Sequence, residues 1–149
     1  MFKKAGLILF SSIVFFSCKQ GEVTCTPSTE AINYPSSDSL AQVLNWPEDL
    51  DITGFSGPDL TPSPACMAVA ATGEVFVGVD MMGSLGKEMN KGFIKRLVDC
   101  NHDGIMDSYT EFAQVDNPRG ILAIGNEVFV LHTTFSPETG KAFNMDLVV

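Results

Sequence analysis

The chain has no hydrophobic run long enough to span a bilayer comfortably as a helix. Its main apolar stretch, Ala5 to Phe16, is twelve residues long. It has no Cys-x-x-Cys-His, so no c-type haem attaches to it. Its two His and four scattered Cys match no zinc module, although Cys100 and His102 stand close. Basic residues are scarce, with nine Lys and Arg against eighteen Asp and Glu and a net charge of −9. Such a chain has no electrostatic attraction for nucleic acid or an anionic membrane surface, and no nucleic-acid partner is expected. Ser-His-Asp, phosphate-loop and paired-carboxylate signatures are also missing.

What is there favours strands. The chain has 149 residues, enough for one ordinary domain, and 45% of them are hydrophobic. Eleven Phe, thirteen Gly and eight Pro suit strands and turns better than long helices. One string recurs letter for letter: Glu74-Val75-Phe76-Val77 and Glu127-Val128-Phe129-Val130. Each copy comes after a proline (Pro64, Pro118), a short apolar run and a Gly-bearing turn. The two phenylalanines are 53 positions apart. A repeat of roughly 40–50 residues built of short strands marks a β-propeller blade. The expected fold is therefore all-β, as propeller blades.

The N-terminus reads as an export signal. Met1-Phe2-Lys3-Lys4 is a short positive region ahead of the apolar run, and Ser17-Cys18 comes after it. A small residue directly before Cys resembles the bacterial lipoprotein signal, which implies lipidation at Cys18 and a lipid-anchored, exported protein in the cell envelope. Phe15 and Phe16 are bulkier than that pattern prefers. The alternatives are an ordinary cleaved signal or a single membrane anchor. Loss of Lys3 and Lys4 would take the charge from −9 to −11. Of the remaining Cys25, Cys66 and Cys100, one pair can form in an oxidising compartment, and the spacing does not choose it.

Residues 1–17 are thus expected as signal peptide, 18–49 as a tether with a short helix, and 50–149 as a partial propeller. The helix is expected over Ser39 to Leu44, capped by Asp38 or Ser37 and stopped by Pro47. Leu50 to Phe55 alternates apolar and polar and reads as a half-buried strand, of the kind that closes a propeller's last blade. Blade one spans about 64–114, with strands at Ala65–Ala71, Val75–Val79, Phe93–Val98 and Ser108–Ala113. In the second strand the valines face one way and Phe76 the other, so both faces should be covered. Blade two spans about 118–149. Its strands are expected at Ile121–Ile124 and Glu127–Leu131, with a turn-rich connection from Thr133 and a third strand from Met145. The incomplete second copy suggests a truncated product or a fragment of a longer gene.

Between the third and fourth strands lies Asp99-Cys100-Asn101-His102-Asp103-Gly104-Ile105-Met106-Asp107. Asp99, Asn101, Asp103 and Asp107 are candidate calcium ligands, because alternating short acids in a tight loop converge hard oxygens. The Glu that completes a calcium loop is missing, Thr110 standing in its place. The alternative is a solvated turn whose side chains bond their own backbone. Any metal here would be structural, because propeller ligands gather on the opposite rim. That rim is built by Asp80-Met81-Met82-Gly83-Ser84, by Asp116-Asn117-Pro118-Arg119 and by His132-Thr133-Thr134. Arg119 either orients an anionic substrate or a quinone carboxylate, or pairs with Asp116 to pin its loop. His132 is a candidate general base or a structural hydrogen-bonder. Met81-Met82 reads as packing.

Several stretches together resemble a bacterial propeller family. They are Pro64-Ala65-Cys66, Gly73 through Asp80, Gly83-Ser84-Leu85-Gly86-Lys87, Arg96-Leu97-Val98-Asp99, Phe112-Ala113 and Asn117-Pro118-Arg119-Gly120. The family is that of membrane-bound dehydrogenase-like or haem-binding propellers, similar to quinoprotein glucose/sorbosone dehydrogenases. The resemblance covers about residues 50 to 149. It implies a six-bladed propeller of which about two blades are here, oxidation of a sugar or alcohol, a quinone (PQQ) or haem acceptor, and a cytochrome c domain or partner. On this reading Asp80, Arg119 and His132 are the candidate catalytic residues, and Asp116 and Arg119 the candidate cofactor ligands. A non-catalytic surface lipoprotein that binds glycan or protein is the alternative, as is a non-functional truncation product.

Overall fold

A computed structural model of the chain describes residue 25 and residues 37–47, 49–82 and 88–149. The expected signal peptide, Cys18, most of the tether, and Gly83 and Ser84 lie outside the described residues. One short helix, α1 (Ser37–Ala41), precedes the strands. It begins two residues before the expected start, and the amides of Val43 and Leu44 still reach the Leu40 carbonyl.

The rest is β-structure in two antiparallel sheets. β1 (Pro64–Val69), β2 (Val75–Asp80), β3 (Gly92–Val98) and β4 (Ser108–Gln114) form the first, side by side in chain order. β5 (Gly120–Ile124), β6 (Glu127–Phe135) and β7 (Ala142–Val148) form the second in the same manner. The fold is all-β, as the repeat and the turn residues indicate. β6 and β7 are longer than expected. Thr133, Thr134 and Phe135 continue the ladder opposite Met145, Asn144 and Ala142. The β-branched threonines suit that pleated position.

Leu50 to Phe55 is not a strand. No described neighbour pairs with it, and the Phe55 carbonyl instead accepts the Met106 amide at 3.2 Å. Its alternation serves a different purpose. Phe55 and Leu60 lie against one face of the first sheet, with Val75, Val77, Val79, Leu97 and Met106. The opposite face, carrying Phe76 and Ile94, packs on Ile121, Ala123, Val128 and Val130 of the second sheet. The first sheet is thus covered on both sides, as its two apolar faces require. Val79, Ile94 and Leu97 have no exposed surface. The two sheets approach through β1 and β5, and β2 lies farther from β5.

A linker from Val115 to Pro118 joins the sheets by crossing the first sheet's face. A Cβ on Gly78 would lie 2.9 Å from the Pro118 side chain, and one on Gly92 only 2.4 Å from the Val115 carbonyl. Glycine is needed at both positions so that the backbone can approach this closely. The described Cys25 is bonded to Cys100, which settles the open pairing and leaves Cys66 as the free thiol. Burial pushes the Cys66 thiol up. A hydrogen bond with the Gly78 backbone and the charge of Arg119 offset only part of that rise.

Candidate functional site

The repeat dictates where a polar site can form. On β6, Val128 and Val130 face the first sheet within the apolar cluster. Alternation then puts His132 and Thr134 on that same face, beyond the apolar part. Directly opposite residues of an antiparallel pair share a face. The register sets Asp146 opposite His132 and Asn144 opposite Thr134. On the other side, the ladder ends at Gly120 opposite Leu131, and the Arg119 amide also donates to the Leu131 carbonyl, at 2.7 Å, which holds Arg119 beside this end of β6. The facing surface of the second sheet is therefore split. Its first half is Ile121, Ala123, Val128 and Val130; its second half is Arg119, His132, Thr134, Asn144 and Asp146.

The first sheet contributes Asp80, the last residue of β2, on the face shared with Phe76. Asp80 is 2% exposed, which requires a partner for a carboxylate. Arg119 Nη1 supplies it at 2.9 Å from Asp80 Oδ2, and the Met82 amide donates to Asp80 Oδ1 at 3.0 Å. The pair ties the two sheets together. Sequence reasoning pointed Arg119 toward Asp116. The Asp116 carboxylate instead accepts the Lys91 amide at 3.2 Å, and its carbonyl accepts the Thr133 amide at 3.0 Å. Asp116 thus pins the linker by its own bonds.

His132 Nδ1 and Thr134 Oγ1 are both buried atoms without a hydrogen-bond partner among the described residues. Two such atoms on alternate residues of one strand are unusual, because an unsatisfied buried polar group costs about 1–3 kcal/mol. Sequence reasoning picked out Asp80, Arg119 and His132, which the fold brings to one end of the inter-sheet space. It set Thr134 on the ligand rim without giving it a role, and it missed Asn144 and Asp146 as site residues. The missing signal was the length of β6, because only a strand reaching Phe135 gives them a common face.

The candidate calcium ligands do fall in one turn, between β3 and β4. Asp99 Oδ1 accepts the amides of His102 (2.7 Å) and Asp103 (3.3 Å), and its Oδ2 accepts that of Gly104 (2.8 Å). Asn101 Oδ1 takes the Asp103 amide, Asp103 Oδ1 takes that of Ile105, and Asp107 Oδ2 takes that of Cys100. Burial alone would raise the Asp99 carboxyl, but the amides of Gly104, His102 and Asp103 together hold it below the ordinary carboxylate range. These oxygens are committed to the turn's own backbone. Among the described residues no three His, Cys, Asp or Glu side chains converge as a metal site.

A family described as a domain of unknown function (DUF7133) matches residues 36–139. The chain belongs to the DUF7133 family. No curated protein and no solved structure matches it. The DUF7133 match takes in α1, the whole first sheet, the linker and β5 and β6, so Asp80, Arg119, His132 and Thr134 all lie within the family domain.

Proposed function

We propose that this chain is the N-terminal part of an exported, lipid-anchored β-propeller that binds a sugar or alcohol between its first two blades. The observation that carries the reading is the buried Asp80–Arg119 pair that ties the two sheets, with His132 and Thr134 on the adjoining part of β6. A carboxylate, a guanidinium, an imidazole and a hydroxyl at one end of an apolar inter-sheet space offer the mixed donors and acceptors that a polyol needs. The blade assignment is supported by two meanders in chain order whose first strands, β1 and β5, lie closest. The lipid anchor rests on Cys18 and its apolar leader alone.

The resemblance to quinoprotein glucose/sorbosone dehydrogenases adds oxidation to binding. In that reaction a quinone or haem supplies the electron sink. The residues present do not fit the quinone, nor a covalently attached c-type haem. Asp80 already neutralises Arg119, so a polycarboxylate quinone finds no unpaired cation there, and the chain has no Cys-x-x-Cys-His. On this chain's own residues the proposed work is binding and orientation of a hydroxyl, with His132 as the candidate proton acceptor.

The test is calorimetry with an aldose and alcohol panel, then dye-linked oxidation with added PQQ. Binding together with turnover that His132→Gln abolishes is expected for a dehydrogenase part. Binding without turnover would favour the second reading, a non-catalytic surface lipoprotein, which the poor fit to a quinone supports. Failure to bind any member of the panel removes the sugar reading.

A further inference from the structure

We infer that the chain carries a second small-molecule site, at the end of the inter-sheet space away from Asp80, and that this site takes a neutral pyranose ring. The inference goes beyond the function proposed above and stands or falls separately from it.

The site follows from what stands at two hairpins. β1 turns into β2 through Thr72 and Gly73, and β5 turns into β6 through Gly125 and Asn126. Ala70, Ala123 and Gly125 are too small to fill the space between them, and a cleft of about 310 Å³ opens there. That volume lies at the low end for ligand sites and suits a single ring. On the first-sheet side, Glu74 Oε1 accepts from Arg96 Nε at 2.6 Å and from Arg96 Nη2, while Glu74 Oε2 accepts the Thr72 hydroxyl at 2.7 Å. These bonds fix two planar groups in the cleft wall. Arg96 Nη1 takes part in none of them, and Glu74 Oε2 keeps capacity to accept a further bond. The Arg96 and Glu74 side chains are 26% and 15% exposed, so a ligand in the cleft reaches both. Phe112 also lines the cleft; it meets Phe76 edge-on and is itself 49% exposed.

This set of groups narrows the ligand by chemistry. Glu74 cancels the charge of Arg96. Glu127 borders the cleft, but alternation with inward-facing Val128 turns its carboxylate to the other face of β6. The described lining therefore offers no uncompensated charge to a phosphate or an ammonium. A wholly apolar ligand would cover the Arg96 edge and the Asn126 amide without giving them partners, which costs binding. A pyranose meets each requirement. Its C–H face lies on the Phe112 ring, and its neighbouring hydroxyls accept from the guanidinium and donate to the carboxylate.

The test is an amide-resolved NMR titration of the full chain with methyl β-D-glucopyranoside and methyl β-D-galactopyranoside. Saturable shifts are expected at Thr72, Phe112 and Asn126, with a Kd on the order of 1 mM. Arg96→Lys keeps the charge facing Glu74 but loses the planar fork, and should weaken binding about tenfold. Phe112→Leu keeps apolar cover on Phe76 but loses the ring face, and should weaken binding about fivefold. The thermal midpoint of each variant separates a lost contact from a lost fold, and one folded variant is enough to decide. Unchanged affinity in a folded variant overturns the inference. So does the absence of a saturable shift with either glycoside. Shifts confined to Met82, Arg119 and Thr133 would put the sugar at the Asp80 end, overturning this site while leaving the proposed function in place.

Discussion

The same four residues, Glu-Val-Phe-Val, sit in two different environments. In the first sheet, Val75 and Val77 are covered by Phe55, Leu60 and Met106, and Phe76 is covered by the second sheet. In the second sheet, Val128 and Val130 are covered by the first, but Phe129 shares its face with exposed Leu122, Ile124, Leu131 and Leu147. Each valine face packs on a neighbouring layer of the chain, whereas each phenylalanine face is turned the other way. Identical local sequence therefore carries the strand and its facing, while context decides what each residue contributes to stability.

The sharpest way to test that difference is to remove the repeat's phenylalanine from each copy in turn. Phe76 is 4% exposed and meets Phe112 edge-on at a centroid distance of 5.1 Å. Phe76→Ala should cost about 3–5 kcal/mol in denaturant unfolding. Phe129→Ala should cost about 1 kcal/mol, because much of its burial partner is solvent. Equal losses would mean that the open face of the second sheet is covered in solution.

A second asymmetry lies in the covalent staple. Cys25–Cys100 closes a sequence separation of 75 residues that takes in α1 and β1 to β3 and no strand of the second sheet. Cys25→Ser should destabilise the chain by about 2–4 kcal/mol, chiefly by freeing the unfolded state. Hydrogen exchange should show faster opening of β3 and β4 than of β5 and β6. Uniform acceleration would indicate that the two sheets unfold as one unit.

The turn beside Cys100 gives a smaller effect. Asp99→Ala removes three amide acceptor contacts and should cost about 1–2 kcal/mol. The loss should be the same with and without added calcium in a thermal melt. A calcium-dependent rise in the wild-type midpoint, absent in Asp103→Ala, would assign a metal role to the turn.

Much of the fold was legible because its signals are local. The repeat placed β2 and β6, alternation gave the facing of Val77 and Phe76, and Gly73 and Gly125 marked the hairpins. What sequence could not supply was non-local. Leu50 to Phe55 alternates as a strand does, but a strand needs a neighbour, and only the assembled fold shows that Phe55 spends its carbonyl on Met106. Arg119 was read against Asp116, three residues away. Its partner Asp80 is 39 residues away and becomes adjacent only when the two sheets pack. The site was half visible for the same reason. Asp80, Arg119 and His132 announce themselves as charged or titratable residues, whereas Asn144 and Asp146 join their face only through the register of β6 and β7.

The smallest contrast concerns the glutamates that open the two repeats. The Glu74 carboxylate accepts from Arg96 Nε at 2.6 Å and from the Thr72 hydroxyl at 2.7 Å, with Arg96 Nη2 also on Oε1. Glu127 is exposed and has no ion-pair partner among the described residues. Its counterpart to Thr72 is Gly125, and the β6–β7 register points Val149 at the place Arg96 holds in the first sheet. Burial alone would raise the Glu74 carboxyl, but the bonds from Thr72 and Arg96 and the Arg96 charge bring it below its ordinary value. A carboxyl depressed in the folded state contributes stability above its unfolded pKa, near 4.3, and loses it as pH falls through the folded value. Glu74→Gln should therefore lower stability at pH 7 by about 1 kcal/mol or less, since the pair is partly solvated. The gap from wild type should close as the pH drops below about 4. Glu127→Gln should leave the midpoint unchanged across the same range. A pH-independent loss in Glu74→Gln would assign its role to packing of the side-chain stem, and the electrostatic contrast between the two repeats would disappear.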